Sequence, residues 1–202
     1  ALATLRAALA KATFVDGATT AGAQAKKAKR NLQLARGSDE ADNLGRIVSK
    51  ALAQGGAFFA AALPHRVLPP LFNRYESGME YDDHVDNAYM SGPKGQPPIR
   101  VDVAATLFLS DPASYDGGEL VVQAGAIVHR VKLPAGDMVV YPAGHLHRVM
   151  PVTRGTRDAA VLWVQSMVRD AGRRQLLHDL DRATQSLAAR DPDAPEIGAL
   201  TQ

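Results

Sequence analysis

Apolar residues in the first third of the chain recur at the spacing of an amphipathic helix. Leu2, Leu5 and Leu9 are three or four residues apart, so they would share one face and predict a first short helix. The same periodicity returns further along this part of the chain. As a whole, the pattern predicts that residues 1–64 form a helical N-terminal part.

A second helix is predicted to begin near Ser38 or Asp39. Either side chain can accept a hydrogen bond from a free amide of the first helical turn, and an apolar face follows. That face consists of Leu44, Val48, Ala51 and Leu52. Gly55 and Gly56 then weaken or end the helix. The apolar run 57–63 fits either a further helical turn or a short buried strand.

Between about residues 65 and 168 the pattern changes to short β-favouring runs. They are separated by glycine, proline and aspartate, and Asp116-Gly117-Gly118 is a strong turn signal among these separators. The runs are 66–75, 81–86, 101–109, 119–123, 127–133, 138–141, 146–151 and 159–168. Short strands at such close spacing predict a β-sandwich or barrel core over residues 65–168.

A last helix is predicted from about Asp170 to Ala189. Its apolar residues fall on one stripe, which is typical of an amphipathic helix. The stripe consists of Leu176, Leu177, Leu180, Ala183, Thr184 and Leu187. With the tail that follows, residues 169–202 would complete a single domain of the α+β class, spanning 1–202.

The composition is that of a globular domain. Of the 202 residues, 46% are hydrophobic, which suits one sizeable core and argues against a disordered chain. No apolar run approaches the roughly 20 residues of a membrane helix, so we expect no membrane partner. The absence of cysteine excludes disulfides and thiolate metal sites, and it fits a reducing, cytoplasmic location. Any metal must then be bound by histidine, aspartate or glutamate.

The charge distribution does not predict a nucleic-acid partner. The net charge is +2 and the pI is about 9.0, which is only a mild basic excess. The densest basic cluster consists of Lys26, Lys27, Lys29 and Arg30. A run of this kind is usually a solvated surface segment, and the alternative is a basic rim that recruits an anionic substrate.

The tripeptide His84-Val85-Asp86 indicates a metal site. Residues two apart on a strand point to the same side, so His84 and Asp86 can offer an imidazole nitrogen and a carboxylate oxygen to one ion. His147, in a later strand-like run, is the natural third ligand. Two histidines and one carboxylate form the facial triad of non-haem Fe(II) oxygenases, which leaves positions open for a cosubstrate and O₂.

An arginine that follows the second histidine could bind an anion close to the metal. Arg157 lies ten residues after His147, and a turn at 153–156 would bring the next strand back beside the preceding one. Arg157 would then point inward near the metal. A buried guanidinium is costly unless an anion meets it. A dicarboxylate that chelates the metal at one end would place its other carboxylate there, held by two parallel hydrogen bonds.

Each of these residues also has a purely structural interpretation. His84 fits a surface turn, Asp86 fits a cap of the following turn, and Arg157 fits a surface ion pair. A metal site explains all of them together, whereas the structural interpretations require coincidence. His145 is the main ambiguity, because it lies two residues before His147 and can face the same way. The ten-residue spacing to the arginine favours His147.

Four long segments carry a resemblance to a known family. They are PLFNRYESGMEYDDHVDNA, ATLFLSDPASYDGGELVV, HRVKLPAGDMVVYPAGHLHRVMPVTRGTR and WVQSMVRD. With them, nearly the whole chain resembles the PKHD-type hydroxylases, bacterial relatives of prolyl and lysyl hydroxylases in the Fe(II)/2-oxoglutarate dioxygenase superfamily. The resemblance implies a double-stranded β-helix (jelly-roll) core with N-terminal helices and a C-terminal helix packed around it. It also implies hydroxylation of a substrate while 2-oxoglutarate and O₂ give succinate and CO₂.

The resemblance implies roles for particular side chains. His84, Asp86 and His147 would bind Fe(II), and Arg157 would bind 2-oxoglutarate. Tyr75 stands in a stretch that often contributes a cosubstrate-binding tyrosine in related hydroxylases, and its alternative role is to pack within a strand. The family is usually described as dependent on L-ascorbate, so the resemblance implies that cofactor as well.

Two other functions stay open at the level of sequence. A cupin-like metalloenzyme would hold Zn²⁺ or Mn²⁺ in the same three-ligand site, and a non-catalytic protein of the same fold would bind an anion through the basic cluster. Only the dioxygenase produces succinate. The sequence does not specify the substrate, which could be a small molecule or a peptidyl side chain. It also leaves the oligomeric state open, with a homodimer as one option.

Overall fold

The computed structural model describes residues 1–20, 25–92 and 95–200 of the chain. Within these ranges the helices are α1 (Leu2–Leu9), α2 (Ala25–Ala28), α3 (Asp39–Ala53), α4 (Gly56–Ala62), α5 (Ala171–Arg190) and α6 (Pro195–Leu200). None of these described helices combines the length and the apolar character that crossing a bilayer requires. The strands are β1 (Phe14–Asp16), β2 (Lys29–Arg30), β3 (Leu32–Leu34), β4 (Pro64–Val67), β5 (Leu71–Tyr75), β6 (Glu80–His84), β7 (Tyr89–Met90), β8 (Ile99–Arg100), β9 (Val103–Phe108), β10 (Asp116–Gly117), β11 (Leu120–Ala124), β12 (Ile127–Val131), β13 (Met138–Pro142), β14 (Leu146–Val149), β15 (Val152–Arg154) and β16 (Arg157–Ser166).

Most of the strands form two antiparallel sheets. The larger sheet has the order β1-β3-β5-β16-β9-β13, with β4 also paired to β16, and the smaller has the order β12-β11-β14-β6-β2. Phe108 and Trp163 of the larger sheet share one apolar cluster with Leu120 and Val149 of the smaller sheet, so the two sheets enclose a common core. The predicted mixed fold with a jelly-roll core is therefore confirmed.

Helices α1 and α3 cover the outer face of the larger sheet. Leu9 of α1 and Val48 of α3 pack in one cluster with Leu162 of β16. The side chain of Ser38 accepts a hydrogen bond from the Ala41 amide and so caps α3 where the sequence predicts its start. The chain thus forms three layers, with the larger sheet between the helices and the smaller sheet.

Strand β16 runs through the middle of the larger sheet and is buried on both faces. Its side chains alternate, so that Ala160 and Leu162 pack towards the helices while Arg157, Val161 and Trp163 line a cavity between the sheets. This alternation determines which residues of the strand can take part in a site.

The N-terminal 64 residues are not purely helical, contrary to the prediction. Strands β1 and β3 extend the larger sheet, and β2 lies at the edge of the smaller sheet. Each has only two or three residues, which is too short for an alternating pattern to be visible in sequence. The run 57–63 proves to be helical, because it coincides with α4. The run predicted as one strand over 66–75 is two strands separated at Pro69-Pro70, since proline has no amide to donate to a ladder.

Helix α5 forms as predicted, but much of its apolar stripe is not buried. Leu176 is 68% exposed and Leu177 is 43% exposed. The buried positions of the helix are Arg174 and Thr184. The Arg174 guanidinium donates a hydrogen bond of 2.7 Å to the carbonyl of Val168, so the contact of α5 with the domain is partly polar. Apolar periodicity alone does not show that a buried arginine orients the helix.

Candidate metal centre

Three side chains converge between the two sheets. His84 ends β6, Asp86 lies two residues beyond it, and His147 lies in β14. His147 is directly opposite His84 in the ladder, and the centroids of the two rings are 4.2 Å apart. Asp86 Oδ2 is 3.9 Å from His147 Nε2. One ligand atom from each residue lies within 4.8 Å of the others, which is close enough for all three to bind one ion.

Backbone carbonyls orient the two imidazoles. His84 Nδ1 lies 2.7 Å from the carbonyl oxygen of Asp82, and His147 Nδ1 lies 2.9 Å from that of His145. A ring nitrogen that donates to a carbonyl carries the proton, so each Nε2 is left with its lone pair for a metal. The carbonyl of His145 orients the His147 ring, whereas the His145 imidazole is not one of the three side chains that could bind the ion.

Burial shifts the pKa values of two of these ligands, His84 and Asp86. Burial, with a smaller contribution from His147, lowers the pKa of His84 to about 4, so the ring is neutral and able to bind a metal at neutral pH. Burial also raises the pKa of Asp86. Among the described residues Asp86 Oδ2 has no hydrogen-bond partner. A buried carboxylate oxygen without a partner is costly, and a bound cation would compensate for that cost.

A β-bulge adds an aromatic ring to the centre. His84 pairs with His147, whereas Tyr81 pairs with Val149, so β6 has one more residue than β14 between these two pairs. Positions three apart on a regular strand face opposite sides, but here both side chains line the cavity. The Tyr81 ring stacks on the His84 ring. Sequence reasoning missed Tyr81, because an alternating pattern does not reveal a bulge.

Arg157 lies on the other sheet and is only 2% exposed. Its guanidinium carbon is 5.3 Å from the ring centroids of both Tyr75 and Phe108. Arg157 Nε and Nη2 are buried without a geometrically well-formed hydrogen bond among the described residues, and the buried hydroxyl of Tyr115 lies beside the guanidinium. Unpaired donors grouped in this way match the geometry of a carboxylate.

The chain reaches Arg157 by a different route from the one that the predicted turn suggests. A hairpin at 153–156 would place β16 beside β14. Instead β15 pairs with β10, and β16 pairs with β5 and β9 in the larger sheet. Arg157 and His147 therefore lie on opposite sheets. The neighbouring Asp158 pairs with Arg74, so it is not the partner of Arg157.

A cavity of about 1050 Å³ is lined by both the metal-binding cluster and Arg157. Its apolar walls include Leu71 and Val161. Tyr75 also lines it, and burial raises the pKa of this tyrosine to about 12 although Arg157 opposes the shift. The hydroxyl therefore keeps its proton at neutral pH and can donate a hydrogen bond to a ligand.

The structure separates the members of the basic cluster. Lys26 is exposed, and Arg30 forms an ion pair with Glu80. Lys29 is only 8% exposed and lines the cavity. The side chain of Lys27 lies outside the described residues. The cluster is thus not one surface, and among its described members Lys29 reaches the site.

The jelly-roll core and the two-histidine, one-carboxylate set define a class of proteins, the non-haem Fe(II) oxygenases. Sequence comparison agrees. The family model of the 2OG-Fe(II) oxygenase superfamily matches residues 70–165, and the model of the PKHD-type hydroxylase C-terminal domain matches residues 171–202.

Close relatives identify the family within this class. A PKHD-type hydroxylase of Hyphomonas neptunium is 54% identical over 200 residues, which is 99% of this chain and 88% of the relative. A PKHD-type hydroxylase of Methylobacterium nodulans is 51% identical, with the same two coverages, 99% and 88%. The chain therefore belongs to the PKHD-type hydroxylase family, and the resemblance noted in its sequence is confirmed.

Solved structures share the fold. A Pseudomonas putida prolyl-4-hydroxylase has a TM-score of 0.52 at 22% identity, and the match covers 83% of this chain and 89% of that one. An oxidoreductase of the 2OG-Fe(II) oxygenase family from Burkholderia pseudomallei has a TM-score of 0.52 at 20% identity, covering 85% and 80%. At such identities the likeness concerns the fold alone. Family membership makes this protein an Fe(II)- and 2-oxoglutarate-dependent dioxygenase.

Proposed function

We propose that this dioxygenase binds Fe(II) through His84, Asp86 and His147 and hydroxylates an unidentified small-molecule or peptidyl substrate beside that centre. The convergence of the three ligand atoms within 4.8 Å carries the proposal. The donor set fits Fe(II), because two imidazoles and a carboxylate form a facial triad with open positions. The unpartnered Oδ2 of Asp86 supports a cation there.

Arg157 would bind the far carboxylate of 2-oxoglutarate. Its unpartnered Nε and Nη2 can form two parallel hydrogen bonds to that group, and the rings of Tyr75 and Phe108 hold the guanidinium in place. Tyr75 would contribute a further contact to the cosubstrate through its protonated hydroxyl. The alternative role for Tyr75, packing in a strand, is compatible with this one, since the residue is buried in β5 and also lines the cavity.

Bound Fe(II) and 2-oxoglutarate supply the oxidising chemistry, in which O₂ is activated and 2-oxoglutarate gives succinate and CO₂ as the substrate gains a hydroxyl group. The protein itself positions the metal ligands. The carbonyls of Asp82 and His145 lie against Nδ1 of the two imidazoles, so Nε2 of each ring would be the atom that binds Fe(II). The side chains of Leu71 and Val161 form apolar parts of the same wall, and ionic contacts shielded from water beside them would be strengthened.

The rival functions are less consistent with these features. A cupin-like enzyme using Zn²⁺ or Mn²⁺ would need the three ligands but has no use for a buried arginine with unpaired donors. A non-catalytic protein that binds an anion through the basic cluster would need that cluster to form one surface. Lys29 and Arg30 instead have separate surroundings.

We further propose L-ascorbate as a cofactor that returns oxidised iron to Fe(II), on the basis of family membership alone. A cytoplasmic location is supported by the cysteine-free sequence, which is compatible with a reducing compartment. The mild net charge of +2 supports a function without a nucleic-acid partner. We also propose that the enzyme works without a membrane partner, either as a monomer or as a homodimer.

Anaerobic titration with Fe(II) and then 2-oxoglutarate tests the proposal. We expect a visible iron-to-2-oxoglutarate charge-transfer band at one equivalent of each, followed by succinate release when O₂ is admitted. Zinc or manganese in place of iron should give neither signal. A protein that shows no band and no succinate would contradict the proposed function and would favour one of the two rivals.

A further inference from the structure

We infer that the substrate of this enzyme carries a carboxylate, and that Lys29 and Arg36 bind this group at the substrate end of the cavity. The inference deepens the proposed function and depends on it, because it takes the metal cluster and Arg157 as already assigned to Fe(II) and 2-oxoglutarate. Family membership does not specify a substrate, so the chemistry of the cavity has to indicate one.

Lys29 lies one aromatic ring away from the metal ligands. It pairs with Tyr81 across β2 and β6, and its ammonium is 5.6 Å from the centroid of the Tyr81 ring. That ring stacks on His84 with centroids 3.6 Å apart. A group held by the Lys29 ammonium would therefore lie one aromatic ring away from the metal ligands, in the cavity that Lys29 and those ligands both line.

Arg36 lies above another ring that adjoins the same centre. Its guanidinium carbon is 6.0 Å from the centroid of the Trp163 ring, and Trp163 lies beside the Asp86 carboxylate. Arg36 lines the cavity as well. Lys29 and Arg36 interact electrostatically, so both cations act on the same part of the cavity. The metal ligands are thus flanked by two cations, each across an aromatic ring.

Among the described residues that line the cavity, the cations outnumber the anions once Fe(II) and 2-oxoglutarate are bound. With Fe(II) and dianionic 2-oxoglutarate bound, the positive charges of iron and Arg157 equal the negative charges of Asp86 and the cosubstrate. The remaining acidic residue of the described lining, Asp83, pairs with Arg148 through both oxygens at 3.0 Å. A loaded centre is therefore neutral, and the positive charge of Lys29 and Arg36 favours an anion.

The surroundings of Lys29 also favour an incoming anion. Its ammonium donates a hydrogen bond of 3.2 Å to the neutral side-chain oxygen of Gln33. Burial and the nearby Arg36 lower the pKa of Lys29 to about 8, although Asp16 opposes this shift. A buried ammonium is stabilised when a carboxylate joins it, so a substrate carboxylate would gain a charge-assisted contact.

The cavity has room for such a substrate in addition to the cosubstrate. Its volume of about 1050 Å³ is slightly larger than the range of small-molecule sites, which is roughly 300–1,000 Å³. Beyond the metal ligands the lining includes Asn87, Tyr89 and Ser91, which offer further polar contacts. These features fit a small carboxylic acid better than a neutral peptide segment.

Paired acids and amides test the inference on the full chain loaded with Fe(II) and 2-oxoglutarate. The probes are free L-amino acids, including L-proline and L-lysine, and simple hydroxy acids, each with its primary amide. Perturbation of the charge-transfer band is measured without O₂, and succinate release with O₂. We expect acids to perturb the band and stimulate succinate release, while their amides at equal concentration do neither.

Variants then locate the contact. Lys29→Met should raise the KM for a responsive acid roughly tenfold, the scale for losing one partner of a partly buried ion pair. Arg36→Met should raise it less, roughly two- to fivefold, because Arg36 is exposed and solvent screens its contact. Lys29→Arg should restore most of the loss. Lys26→Met, at an exposed neighbour in the same segment, should leave KM unchanged. All four variants should keep the charge-transfer band, which shows that folding and cofactor binding are intact.

Three results would overturn the inference. They are equal responses to acids and amides, an unchanged KM in both Lys29→Met and Arg36→Met, and a panel in which no acid perturbs the band. Each is distinct from a failure of the proposed function, in which the unmodified protein shows no charge-transfer band at all.

Discussion

The ring of Tyr81 lies flat against the ring of His84, with centroids 3.6 Å apart and an angle of 16° between the planes. The two residues are three positions apart and share a face because of the bulge in β6. The stack covers one face of an imidazole that we assign to Fe(II), and it separates that imidazole from Lys29. Tyr81 therefore connects the metal centre with the proposed substrate end of the cavity.

Removing the aromatic ring at position 81 should weaken metal binding. We expect Tyr81→Leu to cost about 0.5–1.5 kcal/mol of Fe(II) affinity, the scale of an aromatic pair, while Tyr81→Phe binds like the unmodified protein. The dissociation constant can be followed by the emission of Trp163, which is the only tryptophan of the chain and lies beside Asp86. Equal affinity in all three proteins would show that the stack does not support the ligand.

Two neighbouring histidines should differ completely in their effect on iron. His147→Ala should abolish stable Fe(II) binding, because it removes one of three ligands. His145→Ala is the matched control and should keep the metal, since His147 is oriented by the backbone carbonyl of residue 145. Metal analysis after anaerobic loading and desalting measures both. Iron retained by His147→Ala would refute the ligand assignment.

Arg157→Ala should weaken 2-oxoglutarate binding by roughly 2–5 kcal/mol, the scale for breaking a buried charge-assisted pair. The exposed Arg154, which pairs with Asp116 at the surface, provides the control, and Arg154→Ala should leave the affinity unchanged. The charge-transfer band gives both dissociation constants. An unaltered value for Arg157→Ala would mean that the diacid binds elsewhere.

Gly118→Ala should disturb the same arginine indirectly. At a φ of +67°, a Cβ at this position would lie 3.0 Å from Arg157 Cδ. Gly125→Ala has a similar φ of +62° but no atom within 4 Å, so it controls for backbone strain alone. We expect both to lower stability by about 1–3 kcal/mol, and only Gly118→Ala to reduce 2-oxoglutarate affinity several-fold. Thermal unfolding and the band titration separate the two effects, and equal cosubstrate affinity in both variants would contradict the contact.

The pH dependence of acid turnover should report on Lys29. Burial and Arg36 lower its pKa to about 8, with Asp16 opposing, so the ammonium loses its charge as the pH rises through this value. Gln33, which accepts its hydrogen bond, does not titrate, and Tyr81 keeps its proton because burial raises its pKa to about 12.

For a responsive carboxylic acid, kcat/KM should therefore fall as the pH rises above about 8 and then level off. Lys29→Arg is the control, because a guanidinium stays charged throughout this range and should give a flat profile. The measurement is succinate release at low substrate concentration across pH 6.5 to 9.5. A profile of Lys29→Arg that matches that of the unmodified enzyme would assign the titration to another group.

The sequence by itself determined which chemistry is available. His84 and Asp86 are two residues apart in sequence, so local spacing was enough to join two donors, and the spacing of His147 and Arg157 indicated the remaining partners. The start of α3 at Ser38 was also local, because a cap depends on the next few residues only. The absence of cysteine restricted the ligand types before any geometry was known.

The tertiary structure decided how these groups meet. Which sheet carries Arg157 depends on strand pairing across the whole core, and the predicted hairpin was wrong because β16 pairs with β5 and β9. The inward position of Tyr81 depends on a bulge, and the burial of Lys29 depends on β2 pairing with β6. These strand pairings join residues that are far apart in the chain, so they cannot be predicted from the local pattern of apolar and polar residues.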